Sequence, residues 1–263
     1  GDEIVEFSIE DTANNVTSFL NRDDYSNSLD AAETISIADG GSTDDLIIDL
    51  TPIDDDVNFD VTTGSGEDYV LLNFNDLSLD SSGDPEDSFD LGDNGENVLV
   101  FVDSLIITNA EEAALFGNVD NVPFIGIERP DKANDDIANA EIDAALLDQE
   151  ILFFNTSGTV ELTNVEATTL VAFNENDFGA STIELQAGEQ TLNLELLADK
   201  GDNANVSNLE VTGASTINIK SVVEGGESGI APNVLGLDTA SNGTVTITGN
   251  QDLPSSTLKR VSC

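Results

Sequence analysis

Short runs in which apolar and polar residues alternate dominate the chain. Alternation with period two, kept up over about four to eight residues, is the signature of a strand with one buried face. In "TIEL" and "TLNLEL", Ile183 and Leu185, then Leu192, Leu194 and Leu196, fall on one face, while Glu184, Asn193 and Glu195 fall on the other. Val, Ile, Leu and Thr fill such runs, and Gly, Asn, Asp and Ser separate them, as strand sterics and tight turns require. Helical spacing is confined to the middle. "TNAEEAALFGN" (108–118) predicts a short helix capped by Thr108 or Asn109 and stopped by Gly117, and "AEIDAALLDQE" (140–150) predicts another.

The runs also repeat. "ISIADGGSTDDLIIDL" (35–50), "FDVTTGSGEDYVLLNF" (59–74) and "FDLGDNGENVLVFVD" (89–103) share one order of features: an alternating strand, a Gly turn with small polar residues, an acidic or amide pair, and an apolar strand. Asp45, Asp68 and Asn97 hold matching places, 23 and then 29 residues apart. A second series, "VELTNVEATTLVAF" (160–173), "IELQAGEQTLNLEL" (183–196) and "LEVTGASTINIK" (209–220), aligns Glu161, Glu184 and Glu210 at separations of 23 and 26, with a fainter copy at 234–249. Two short strands per repeat predict a mainly β fold, a parallel β-helix or β-solenoid with irregular coils and one or two short helices near its middle. Neighbouring coils then stack at about 4.8 Å and bury each other's apolar face.

The organisation expected is a β-rich repeat region with acidic Gly turns over 1–107, a helical and loop connector over 108–150, and β-solenoid repeats over 151–263. The shift in pattern falls at "IERPDKANDD" (127–136). The opening segment 2–20 carries a strand followed by polar material suited to a cap or arm. Stacking would place Glu161, Glu184 and Glu210 in one outward column, either open to a cation or partner or splayed into solvent.

Charge changes the picture most. Fifty-three Asp and Glu face seven Lys and Arg, with no His, for a formal net charge of −46 over 263 residues. At 39% hydrophobic content the chain is too apolar for a solvated acidic tail, so it should fold, aided by divalent cations, high salt or both. DNA, RNA and anionic membranes are poor partners for such a surface. No apolar segment has the length of a membrane span or signal peptide. The chain does not begin with Met and is expected to be a processed product or fragment. Its single cysteine, Cys263, excludes an internal disulfide.

The same composition argues against catalysis. His is absent, and Arg22, Arg129, Lys132, Lys200, Lys220, Lys259 and Arg260 are scattered, so the usual neutral-pH base and the cationic clusters of phosphoryl transfer are missing. Carboxylate pairs could cleave glycosides, but proximity in sequence singles out none of them. The chain is expected not to be an enzyme. Four Asn-x-Ser/Thr sequons, at Asn15, Asn155, Asn205 and Asn242, match chance in an Asn- and Thr-rich chain.

The acidic Gly turns carry the candidate chemistry. Glycine lets the backbone bend and expose carbonyl oxygens, and a carboxylate a few residues on completes an oxygen cage for a hard cation. Calcium tolerates the irregular coordination of such turns better than magnesium does. The candidate ligands are Asp39, Asp44 and Asp45 in the first repeat, Glu67 and Asp68 in the second, and Asp93, Glu96 and Asn97 in the third. The acidic runs Asp54, Asp55, Asp56 and Asp84, Glu86, Asp87 lack the Gly frame and rank below them. Solvated turn residues in a protein adapted to brine are the competing explanation.

"GGSTDDLII" and "GSGEDYVLL" resemble degenerate forms of the Gly-Gly-x-Gly-x-Asp-x-apolar-x calcium repeat of secreted RTX proteins. Taken with low Lys, almost no Cys and segments such as "NGTVTITGNQDL" (242–253), the chain resembles the β-helical lattice part of Caulobacter-type S-layer proteins of Gram-negative bacteria. That resemblance implies type I secretion through an uncleaved C-terminal signal, calcium-dependent folding and a two-dimensional array on the cell surface. The Gly-Asp units here occur singly at spacings of 23–29 rather than as tandem nonapeptides, which implies one site per coil.

The expectation is therefore an extracellular structural protein that self-assembles into a lattice with calcium, with cell-surface polysaccharide as a further partner. An adhesin or filament subunit on the same scaffold is the alternative, and a β-helical polysaccharide-cleaving enzyme comes third.

Overall fold

The computed structural model describes residues 4–10, 32–38, 45–51, 53, 57–93, 96–128, 139–154, 158–174, 179–198, 204–223, 232–239 and 243–250. The fold is a parallel β-solenoid with very little helix, as the alternation predicts. Two compact units make up the chain: residues 1–102 with 109–125, and residues 103–108 with 126–263.

The first unit begins with β1 (Ile4–Glu10), β2 (Ala32–Ala38), β3 (Ile47–Asp49), β4 (Asn58–Thr62), β5 (Tyr69–Leu72), β6 (Ser88–Asp90) and β7 (Val98–Phe101). From β2 on, successive strands alternate between two parallel stacks, so that each coil adds one strand to each. β1, β2, β4 and β6 form one, and β3, β5 and β7 the other. Interior positions line up between coils, Ile37 with Val61 and Phe89, and Ile48 with Val70 and Leu99, all of them buried.

After β8 (Leu105–Ile107), a strand of the second unit, the chain returns to the first through α1 (Ala110–Ala114) and β9 (Val119–Asp120). The predicted helix at 108–118 is thus present. The Asn109 side chain caps it, accepting from the N–H groups of Glu111 (2.9 Å) and Glu112 (3.1 Å). β9 adds to the β6 edge. Phe74, Phe101 and Phe116 pack together, Phe101 meeting each of the others edge to face at 5.8 Å.

β10 (Phe124–Glu128) contains the division between the units. The second unit continues with β11 (Ala140–Asp143), β12 (Glu150–Phe154), β13 (Val160–Val165), β14 (Leu170–Asn174), β15 (Ser181–Leu185), β16 (Thr191–Ala198), β17 (Asn205–Thr212), β18 (Thr216–Val223), β19 (Val234–Thr239) and β20 (Thr244–Gly249). One parallel stack runs β8-β11-β13-β15-β17-β19 and the other β12-β14-β16-β18-β20. Ile183, Leu185, Leu192, Leu194 and Leu196 face inward and are buried, as their alternation predicts.

The helix expected over 140–150 is absent. Residues 140–143 instead form β11, whose "AEID" pairs residue for residue with "VELT" of β13, and a 3₁₀ turn at Ala144–Leu146 follows. Ala140 and Ile142 supply the buried face in this stack, so coil stacking overrides the local helix preference.

Candidate cation sites at the coil corners

Asp39 and Asp44 lie outside the described residues, as do Asp54, Asp55 and Asp56; the other candidates can be placed. The register pairs Ile47 with Tyr69 and Tyr69 with Val98. Continuing it back one residue puts Leu46, Asp68 and Asn97 on one level; back two, it puts Asp45, Glu67 and Glu96 together. Asp45 is therefore one place out of line with Asp68 and Asn97, contrary to the sequence alignment. With a side-chain period of two, a shift of one residue exchanges inside for outside. Asp68 and Asn97 are buried, while Asp45, Glu67 and Glu96 are exposed.

The inward pair bonds to the backbone. Leu46 N–H donates to Asp68 Oδ1 at 2.9 Å, and Asp68 N–H donates to Asn97 Oδ1 at 2.9 Å. Each side chain thus satisfies the amide of the preceding coil at a corner where no strand partner is present. Asn97 Nδ2 donates to the carbonyls of Leu91 (2.6 Å), Asn121 (3.0 Å) and Gly92 (3.2 Å). Backbone oxygens do converge at this turn, and an amide nitrogen sits among them.

Glycine is required beside this corner. Gly92 has φ +77°, and a Cβ there would lie 1.5 Å from the Gly64 carbonyl oxygen of the coil before. Asp90 Oδ1 steadies the same turn, accepting from Asn121 Nδ2 (2.8 Å) and Gly92 N–H (3.2 Å). Asp93 follows on the exposed side.

The outward column is exposed. Asp45 Oδ1 accepts from Glu67 N–H at 3.0 Å, which fixes one carboxylate between coils, and Glu67 and Glu96 occupy the same outer level. Among the described residues no three acidic, His or Cys side chains gather closely enough to hold a metal ion by themselves. A cation bound here would draw on one or two of these carboxylates and on backbone oxygen or water, a donor set suited to calcium.

The lower-ranked candidate Asp87, just before β6, has a role that the sequence did not reveal. Asp87 sits in line with the apolar Phe59 and is buried, its Oδ1 accepting from Phe59 N–H (2.8 Å) and its Oδ2 from Ser78 N–H (2.9 Å). Burial pushes its carboxyl up to about 6, against the opposing pull of those two hydrogen bonds, and nearby Glu86 adds like-charge repulsion. The clue was available, because Asp87 precedes Phe89 by two and so shares its inward face. Asn233 in the second unit is similar, buried, with Ala204 N–H on its Oδ1 (2.9 Å) and its Nδ2 on the Leu196 carbonyl (3.0 Å).

The acidic column of the second unit also differs from expectation. Glu161 pairs with Thr182 and Thr182 with Glu210, whereas Glu184 pairs with Thr212. Glu184 thus lies two residues along from the level that Glu161 and Glu210 share. Carboxylates nevertheless stack in neighbouring coils, Glu141 on Glu161 and Glu210 on Asp238. Across the unit, Glu150 is raised by burial and then by the charge of Glu195.

No family model, curated protein or solved structure matches this chain. No helix among the described residues is long and apolar enough to cross a membrane.

Proposed function

We propose that this is a structural, extracellular protein of the cell-surface lattice kind, whose compact and self-associating state depends on calcium. The observation that carries the reading is the in-register stacking of exposed carboxylates on neighbouring coils, Glu141 on Glu161 in the second unit and Asp45 with Glu67 and Glu96 in the first. Strand spacing holds such groups within about 5 Å of backbone separation, so they repel unless a counter-ion sits between them. A chain of net charge −46 compounds that repulsion over its whole surface. Secretion into a calcium-rich exterior would relieve it, and folding and assembly would follow together.

Exposed carboxylates at the coil corners, Asp45, Glu67, Asp93 and Glu96, would supply the charged oxygen, with calcium neutralising it. Asp68 and Asn97 would hold the corner backbone in place.

One observation favours the filament reading. On β20, Val245 and Ile247 are 38% and 42% exposed although their register partners Ile217 and Ile219 are buried, so apolar side chains are open at this strand. End-to-end pairing of copies would cover them.

Metal analysis of the natively purified particle combined with negative-stain imaging tests the proposal. Sheets with bound calcium that disperse on chelation are expected. Fibres would favour the second reading, and metal-free monodisperse particles would overturn both.

A further inference from the structure

The outward side of β16, β18 and β20 differs from the acidic surface around it. Its side chains form three columns in register: Thr191, Thr216 and Thr244; Asn193, Asn218 and Thr246; Glu195, Lys220 and Thr248. The inward residues between them, Leu192, Leu194, Leu196, Ile217 and Ile219, are buried, which fixes the direction of the columns. Lys220, the only Lys or Arg among the described residues, places its Nζ 2.6 Å from Glu195 Oε1, so the columns sum to no net charge.

These columns are also preorganised. Asn218 Nδ2 donates to Asn193 Oδ1 (3.0 Å), and Asn193 Nδ2 donates to the Ala167 carbonyl (2.7 Å). The threonines are β-branched and stiff at χ1, so ordering them in a contact costs little. The other stack of the same unit presents exposed Glu141, Glu161, Glu184 and Glu210.

We propose that this neutral Thr/Asn face is the surface through which a second copy of the chain docks. The argument is electrostatic. Two bodies of net charge −46 meeting through acidic columns would bring like charges well inside the screening length of about 8 Å. Contact through the neutral face adds no such opposition and offers hydroxyl and amide groups that donate and accept equally well. A sugar polymer is the competing occupant, but these columns carry no aromatic ring on which a sugar could stack. The inference rests on the reading of the protein as self-associating and not on its dependence on calcium.

Sedimentation velocity over a range of protein concentrations, in calcium and again in chelator, is the test. Asn218→Glu and Thr246→Glu place charge on the face, and Ser81→Glu adds the same charge to an exposed turn of the first unit. Circular dichroism verifies that each variant is folded, and Asn218→Lys with Thr246→Lys serves as a second pair. We expect each charged substitution on the face to weaken self-association at least about tenfold while Ser81→Glu leaves it within about twofold, since buried like charge costs more than one decade in affinity. Association by the face variants equal to that of the parent chain would overturn the proposal, as would a parent chain that stays monomeric or that is retained by a neutral dextran matrix. Face-dependent association that persists in chelator would support this surface while removing the calcium reading.

Discussion

The corners of the first unit and the strand faces of the second use the same residue types in opposite ways. At the corners, Asp68 and Asn97 turn inward and accept backbone N–H groups that have no strand partner. On the faces, Glu141 and Glu161 stack outward with the charge of their neighbour directly above or below. An inward carboxylate adds to cohesion by satisfying a buried donor, whereas an outward stack opposes cohesion until it is screened. The acidity of this chain thus has two parts, one that holds coils together and one, facing outward, that the proposal assigns to a counter-ion.

The sharpest way to break the comparison is at the closest backbone approach. Gly92→Ala drives a Cβ into the Gly64 carbonyl from a positive-φ position, and we expect a loss of about 3 kcal/mol or more in urea unfolding, with no comparable effect from Glu161→Ala on the open face.

Next in size is the inward acceptor itself. Asp68→Ala should cost about 1–3 kcal/mol by leaving the Leu46 N–H buried without it, while Asp68→Asn should cost far less, because Asn97 already does the same task with an amide. An Asp68→Asn protein that lost its calcium response while Glu67→Gln with Glu96→Gln kept it would reverse the division of roles.

Asp87 adds a pH signature to the same side of the comparison. Its folded-state pKa of about 6 lies above the ordinary 3.8, so the folded chain holds this proton more tightly than the unfolded chain does. The resulting stability is present in full below about pH 4 and is lost as pH rises through about 6. The contribution of Asp87 to the unfolding free energy should therefore fall between about pH 4 and 7, by an amount on the order of 3 kcal/mol, and Asp87→Asn should flatten that part of the pH dependence.

The smallest effect belongs to the exposed ion pair. Lys220→Gln should change stability by less than about 1 kcal/mol, because Lys220 is 57% exposed and water screens its bond to Glu195.

The solenoid was legible because alternation and repeat length both survive in the sequence. Ile183, Leu192 and Leu194 turn inward as their spacing required. Register was not legible. Aligning repeats on their acidic residues matched Asp45 with Asp68, but the β2–β3 corner is two residues longer than the β4–β5 corner, and strand hydrogen bonds, not matching letters, decide which side chains share a level. A slip of two residues, which keeps the outward face, joined Glu184 to Glu161 in place of Thr182. Residues 140–143 read as helical because Ala and Leu favour it locally, and they became a strand because "AEID" completes a stack that the isolated segment does not reveal. In the sequence Asp87 reads only as a lower-ranked cation candidate and Asn233 is not singled out, since the acceptor role of each depends on a backbone donor 28 or 29 residues distant.

Urea unfolding in calcium chloride and in sodium chloride at equal ionic strength tests the central claim most directly. The claim requires calcium to raise the midpoint well beyond sodium, with the gain growing with concentration and reaching about 2.7 kcal/mol at one hundred times the dissociation constant. Unfolding curves that coincide in the two salts would contradict it.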